Sequence, residues 1–264
     1  MTTVIAVARP PRVLSLLSAA TEIVCRLGCA HLLVGRSHGC DDPPFVTALP
    51  VVTAPRVDPN AASHELDQAV RAQAVSGGPI YHIRSELVCE LRPDVIITQD
   101  QCRICAVTAA DVAAACGDGS PTTAMITIKP TTLDDVLDDV RTIARALGVS
   151  ERGDRLVKLL SGRLGALRVL TSQALGHQVP RVAHLEWLAP LMGSGYWIAE
   201  CVEAATCQMV HGSRGSHAQI IACPSQLSDA DVIIIAPCGF GLERTHVELT
   251  TLGLLKTEEW CTLP

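Results

Sequence analysis

The sequence predicts an α/β fold of two lobes, each a mostly parallel sheet flanked by helices, joined by one long helix. Three observations carry this. Short β-rich apolar runs alternate with longer helical patterns from residue 13 onward, the signature of parallel sheets with helical crossovers. Residues 150–175 contain no proline and place leucines at 156, 159, 160, 164 and 167, so about 25 residues form a helix about 37 Å long. Beyond Pro180 the alternation restarts. The N-terminal lobe is therefore residues 1–149, the connecting helix 150–176 and the C-terminal lobe 177–264, where the chain is short for a full second lobe.

In the first lobe, residues 13–17 read as a strand, Ser18 as a helix N-cap, and residues 21–27 as a helix stopped by Gly28. Residues 32–35 form the next strand, followed by a polar, proline-rich loop over 37–44 and an amphipathic stretch over 63–75. A short helix over 85–91, a buried strand over 95–98 and a helix over 109–116 come next. After the run 124–128, Thr132 caps the acidic first turn of a helix that reaches Leu147, with Gly148 at its end. The second lobe gives a strand over 182–186, a glycine-rich loop over 191–195, a helix over 197–205, a strand over 232–236 and a helix within 243–255.

Composition narrows the function. Of 264 residues, 48% are hydrophobic and 18% charged, which is a globular composition with enough apolar surface for a core. Lys and Arg number 21 against 27 Asp and Glu, a net charge of −6 with no basic block, so nucleic acid is not a partner the charge supports. The longest apolar runs, such as 232–236, fall far short of the roughly 20 residues that a membrane span needs. The opening MTTVIAVARPP has no basic n-region and only a short apolar stretch, which predicts a cytoplasmic protein. The 12 cysteines are dispersed, and in a reducing compartment they serve as thiols, metal ligands or redox groups rather than disulfides.

In open α/β sheets ligands bind outside the carboxyl ends of strands. That selects the loops at 17–22, 37–42, 99–105, 186–196 and 237–241. Their polar and aromatic side chains make Ser18, His38, Asp41, Gln99, Gln101, Glu186, Trp187, Tyr196 and Phe240 the candidate ligand-binding residues. If both lobes face one cleft, Cys40, Cys102, Cys105 and Cys238 supply four thiolates, the ligand set of zinc or an iron–sulfur cluster. The plainer alternatives stand beside these. Cysteine packs as a small hydrophobe, which suffices for Cys25, Cys29, Cys89, Cys116, Cys201 and Cys207 on helical stretches. His38 and Asp41 either contact a ligand or cap loop backbone. Trp187 either stacks on a flat ligand or fills the lobe interface. The pairs Asp134-Asp135 and Asp138-Asp139 read as a solvated helix face. No Walker loop, G-x-S-x-G elbow or H-E-x-x-H is present, and Gly193-Ser194-Gly195 does not complete a dinucleotide fingerprint; the chain is read as a non-enzyme.

Four segments carry a family likeness: RVLSLLSAATEIVCRLGCAHLLVGRSHGCDDPP (12–44), ELRPDVIITQDQCRICAV (90–107), HLEWLAPLMGSGYWIAE (184–200) and IIIAPCGFG (233–241). They resemble the helical-backbone substrate-binding proteins of ABC importers for cobalamin, ferric siderophores, heme and some metal ions, and most of all the cobalamin-binding branch. The resemblance implies a binding protein that holds cobalamin or a related metal chelate between its lobes. His38 or a thiolate then serves as axial ligand to cobalt or iron, and Trp187, Tyr196 and Phe240 offer flat surface. An ABC permease is the partner implied, with Glu22 near one docking position. The chain departs from the family in lacking a signal, in ending near 260–264, and in its cysteine-bearing strand ends. Those departures sustain the alternative of a cytoplasmic metal- or iron–sulfur-binding protein, redox or enzymatic, and a third reading as a ligand-free interaction module.

Overall fold

The computed structural model describes residues 9–116, 123–254, 257, 260 and 263. Most of the 1–11 segment read for a leader lies outside the described residues, as do Cys261, Thr262 and Pro264 at the end of the chain. In chain order the elements are β1 (Val13–Ser15), α1 (Ser18–Arg26), β2 (Leu33–Arg36), β3 (Thr53–Pro55), α2 (Ser63–Val75), β4 (Tyr81–Ile83), α3 (Ser85–Leu91), β5 (Val95–Gln99), α4 (Ala109–Cys116), β6 (Ala124–Ile128), α5 (Leu133–Ala146) and α6 (Ser150–Leu175). They continue with β7 (Arg181–Leu188), β8 (Leu191–Gly193), α7 (Ile198–Ala204), β9 (Gln208–Met209), β10 (Gln219–Ile220), β11 (Val232–Ile235) and α8 (Leu242–Thr251). The chain is α/β, as the alternation of apolar runs predicts.

Two compact units form. The first is Met1–Arg56, Pro79–Lys129 and Asp139–Leu156; the second is Val57–Gly78, Pro130–Asp138 and Val157–Pro264. Each is discontinuous in sequence.

The first unit is built on a parallel sheet in the order β2-β1-β5-β6. From β1 the chain moves outward to β2, then returns past β1 to β5 and β6, so the strand order reverses between β1 and β5. Loops diverge at such a switch point and leave a crevice at the strands' carboxyl ends. Leu14, Leu16, Val52, Ile83, Val88, Ile96, Val107 and Val112 form its core. The small antiparallel hairpin of β3 and β4 packs Val52 and Ile83 into this cluster, which fixes β4 beside the strand-end loops.

Helix boundaries follow local chemistry. Gly28 and Gly148 adopt φ of 73° and 72°, the left-handed conformation that ends a helix without a Cβ penalty. Thr132 and Asp135 form a reciprocal box at the start of α5: Thr132 N donates to Asp135 Oδ2 at 2.9 Å and Asp135 N to Thr132 Oγ1 at 3.2 Å. The Ser18 N-cap does not form. Ser18 is the first residue of α1, Leu17 occupies the cap position without a side-chain cap, and the Ser18 hydroxyl instead donates to Gly39 O at 2.5 Å.

The second unit contains a mixed sheet in the order β10-β8-β7-β11, with β9 pairing β7. β7 runs parallel to β11 and β9 and antiparallel to β8. Its core gathers Ala183, Leu185, Ile221, Leu227, Ala230 and Trp260. Helix α6 is 26 residues long, close to the predicted span. Among the described residues no helix is long and apolar enough to cross a membrane.

Candidate functional site

The crevice side of the first unit is assembled from two loops and the β3–β4 hairpin. After β2, the buried Arg36 guanidinium donates to Ser37 O at 3.1 Å, Cys40 O at 2.9 Å and Thr47 O at 3.1 Å. Three carbonyls on one planar donor fork hold the 37–47 loop in one shape. Within that loop His38 is pinned twice to Thr53 Oγ1, by its backbone N at 3.0 Å and by Nδ1 at 2.7 Å. With Nδ1–H donating, Thr53 Oγ1 uses both lone pairs on His38 and the imidazole keeps its basic lone pair on Nε2.

The His38 ring lies 5.3 Å from the Tyr81 ring. Packing against the protein, and then the Arg36 charge, lower its pKa below the ordinary 6.5, so the ring is neutral at pH 7. Tyr81 in turn donates its hydroxyl to Ile104 O at 2.5 Å. Burial, then the neighbouring Cys105 and Cys102, push the phenol up to about 12. Tyr81 therefore stays protonated and works as an aromatic wall and a hydrogen-bond donor.

The loop after β5 is organised by Gln99, which is only 3% exposed. Its Oε1 accepts from Gln101 N at 2.6 Å and Cys102 N at 2.8 Å, and its Nε2 donates to Cys102 O at 2.7 Å and Ala106 O at 3.1 Å. All four hydrogen-bonding positions of the amide are spent inside the loop. Gln99, read from sequence as a ligand contact, shapes the loop instead. Gln101 contributes its backbone N to the same network, and Asp41 is exposed on the neighbouring loop.

Cys40, read as a metal ligand, has no exposed surface. Its sulfur accepts from Thr21 Oγ1 at 3.0 Å, and the same hydroxyl lies 2.8 Å from Ser15 Oγ. The thiol fills a buried polar joint between β1, α1 and the 37–47 loop. Cys102 and Cys105 lie with sulfurs 2.7 Å apart. Among the described residues, no three His, Cys, Asp or Glu side chains converge as a metal site; Cys40 is buried in the core of the first unit, and Cys238 is exposed in the loop after β11 of the second.

In the second unit, β11 ends opposite Leu185 while β7 runs on to Leu188, and beyond β11 Cys238 N donates to Glu186 O at 3.0 Å. Trp187 and Phe240 meet edge to face at 5.2 Å, and the Arg244 guanidinium lies 3.6 Å over the Phe240 ring, a cation–π stack. Burial raises the pKa of Glu186, opposed by hydrogen bonds from Gly195 N and Ser194. Tyr196 sits at φ 54° with its hydroxyl 2.7 Å from His217 Nδ1. Trp187 and Phe240 are thus brought together, while Tyr196 belongs to a separate turn.

Solved structures share this architecture. The periplasmic heme-binding protein RhuT from Roseiflexus sp. RS-1 in apo form superposes with a TM-score of 0.66 at 20% identity, covering 95% of this chain and 86% of that one. A periplasmic heme-binding protein from Pseudomonas aeruginosa gives 0.67 at 18% identity, over 95% and 81% of the two chains. The periplasmic vitamin B12 binding protein BtuF of Vibrio cholerae gives 0.60 at 20% identity, over 92% and 85%. The chain has the substrate-binding-protein fold. It is the fold of the superfamily that the motifs at 12–44 and 90–107 resemble. No family model matches the chain, and no curated protein does.

Within that substrate-binding-protein fold, the residues that sequence reasoning missed are Tyr81, Thr53 and Arg36. Tyr81 and Thr53 come from a hairpin interrupted by α2. Its one signal was the aromatic run Ile80-Tyr81-His82-Ile83 after Gly77-Gly78-Pro79, a strand flanked by turn residues.

Proposed function

We propose that this chain is a binding protein for a flat metal chelate, heme or cobalamin, taken up at the strand-end face of the first unit with His38 Nε2 as axial ligand. The observation that carries the reading is the state of His38. Its Nδ1 is engaged by Thr53, its ring is backed by Tyr81 and its pKa is lowered, which leaves a neutral, oriented imidazole nitrogen beside a switch point. A hydrogen bond on the other ring nitrogen is what fixes the tautomer of a metal-bound histidine. The solved structures of the same fold that bind heme or vitamin B12 support the ligand class. An ABC permease is the partner we propose on the same likeness.

The test is titration of the purified chain with heme and with cobalamin, followed by absorption difference spectra. A saturable band shift with one of them, lost in His38→Ala and retained in Cys40→Ala, is the expected result. No binding of either chelate by the native chain, or an unchanged spectrum for bound ligand in His38→Ala, overturns it.

A further inference from the structure

We propose that Cys102 and Cys105 are a redox-active dithiol, closing to an intramolecular disulfide by exchange with a low-molecular-weight disulfide such as oxidised glutathione. Three features of the loop point to it. The Cys102-Arg103-Ile104-Cys105 turn is closed by Cys105 N donating to Cys102 O at 3.2 Å, which brings both side chains to one side with sulfurs 2.7 Å apart. The turn is held from both flanks, by the four hydrogen bonds of Gln99 and by the Tyr81 hydroxyl on Ile104 O. Closing a bond inside a loop already ordered costs little further chain entropy. Finally, Cys105 is exposed and Cys102 half-buried, so a small disulfide reaches the first and the second then attacks from within the turn.

The chemistry balances as ordinary thiol–disulfide exchange. The Cys105 thiolate attacks one sulfur of R–S–S–R, forming Cys105–S–S–R and releasing R–S⁻, which takes up the proton lost from Cys105. The Cys102 thiolate then attacks the Cys105 sulfur, forming the Cys102–Cys105 bond and releasing the second R–S⁻, which takes up the proton from Cys102. The protein loses two electrons and two protons, and one R–S–S–R becomes two R–SH.

Arg103 makes the test direct. Tryptic cleavage after Arg103 leaves Cys102 on one peptide with Cys89 and Cys105 on the other with Cys116, so the experiment uses the full chain carrying Cys89→Ser and Cys116→Ser, in which the two peptides stay joined only through a 102–105 disulfide. That chain is equilibrated in glutathione buffers of increasing oxidised fraction, acid-quenched, alkylated, digested and weighed by mass spectrometry. The expected result is that the linked 102/105 peptide pair rises from absent to dominant with the oxidised fraction, and that Cys102→Ser instead retains one glutathione on Cys105. Both cysteines remaining alkylated throughout, each carrying its own glutathione in the chain that keeps both, or either bridging to a different cysteine overturns the proposal. No chelate enters this readout, so it stands or falls apart from the heme or cobalamin reading.

Discussion

Tyr81 and His38 meet ring to ring, centroids 5.3 Å apart and planes tilted by 38°, although one side chain comes from β4 and the other from the loop after β2. The contact shields the imidazole and contributes to lowering its pKa from 6.5. Tyr81→Ala removes the wall, so the His38 pKa rises toward 6.5, as read by NMR titration of the imidazole; Tyr81→Phe keeps the ring and leaves it low. In the native chain the unfolded state binds more protons than the folded one between the lowered pKa and 6.5. Stability from His38 is therefore complete above 6.5 and lost as the pH falls through the folded value. Denaturation midpoints that do not change across that window would contradict this.

Asp135 carries the opposite kind of group with the same sign. Hydrogen bonds from the backbone of Thr131 and Thr132, then from their hydroxyls, hold its carboxylate down to about 2. Its stabilisation is present above the ordinary carboxylate range and fades as the pH falls toward 2. Asp135→Ala removes the α5 cap at a cost of about 1 kcal/mol, measurable as a lower urea midpoint near neutrality. The difference from the native chain should shrink in acid. A constant difference across that range would show that the side chain acts by packing and not by charge.

These two sites also mark how far the sequence reaches. Thr132 at the start of α5 was legible because a cap is a contact between near neighbours, and α6 because proline-free leucine spacing is a local pattern. The strand ends followed from the alternation of elements. What lay hidden was long-range. Tyr81 lies 43 positions beyond His38 in the numbering, and only the β3–β4 hairpin brings them together. Gln99 and Cys40 sit on the loops selected from sequence, yet burial turned one into a loop clamp and the other into core. Residue type and position give the chemistry available at a strand end, whereas the hydrogen bonds already made there decide what remains for a ligand.

Glycines in two settings should respond in opposite directions to alanine. A Cβ on Gly195 would lie 2.5 Å from Ala218 N, 2.5 Å from Ser216 O and 2.7 Å from the His217 carbonyl carbon, all backbone atoms that cannot swing aside. Gly195→Ala is expected to cost more than about 3 kcal/mol, lowering Tm and exposing the 193–218 region to protease. Gly165, within α6, has nothing within 4 Å of an added Cβ. Gly165→Ala should stabilise by up to about 1 kcal/mol through helix propensity. Calorimetry on the pair checks both, and a stable Gly195→Ala would mean that the 216–218 backbone yields.

Helix α8 holds the entry to α2 through two residues one turn apart. Arg244 donates to Ala61 O at 3.0 Å and to Pro59 O at 2.5 Å. Glu248, 7% exposed, accepts from Ser63 N at 2.6 Å. A carboxylate on the first N–H of a helix satisfies an orphan donor and faces the positive end of the helix dipole. Glu248→Ala leaves that N–H buried and unpaired, at a cost of about 2–3 kcal/mol, while Glu248→Gln keeps an oxygen acceptor and costs about 1 kcal/mol because the charge is lost. Arg244→Ala releases the preceding carbonyls and the Phe240 ring together. Since both side chains order the same five residues, the double variant Arg244→Ala/Glu248→Ala should cost less than the two singles added, with a coupling of about 0.5–1 kcal/mol. Urea unfolding of the four proteins gives the cycle. Strict additivity would show that the two contacts are independent and that the 59–63 segment keeps its shape when either is lost.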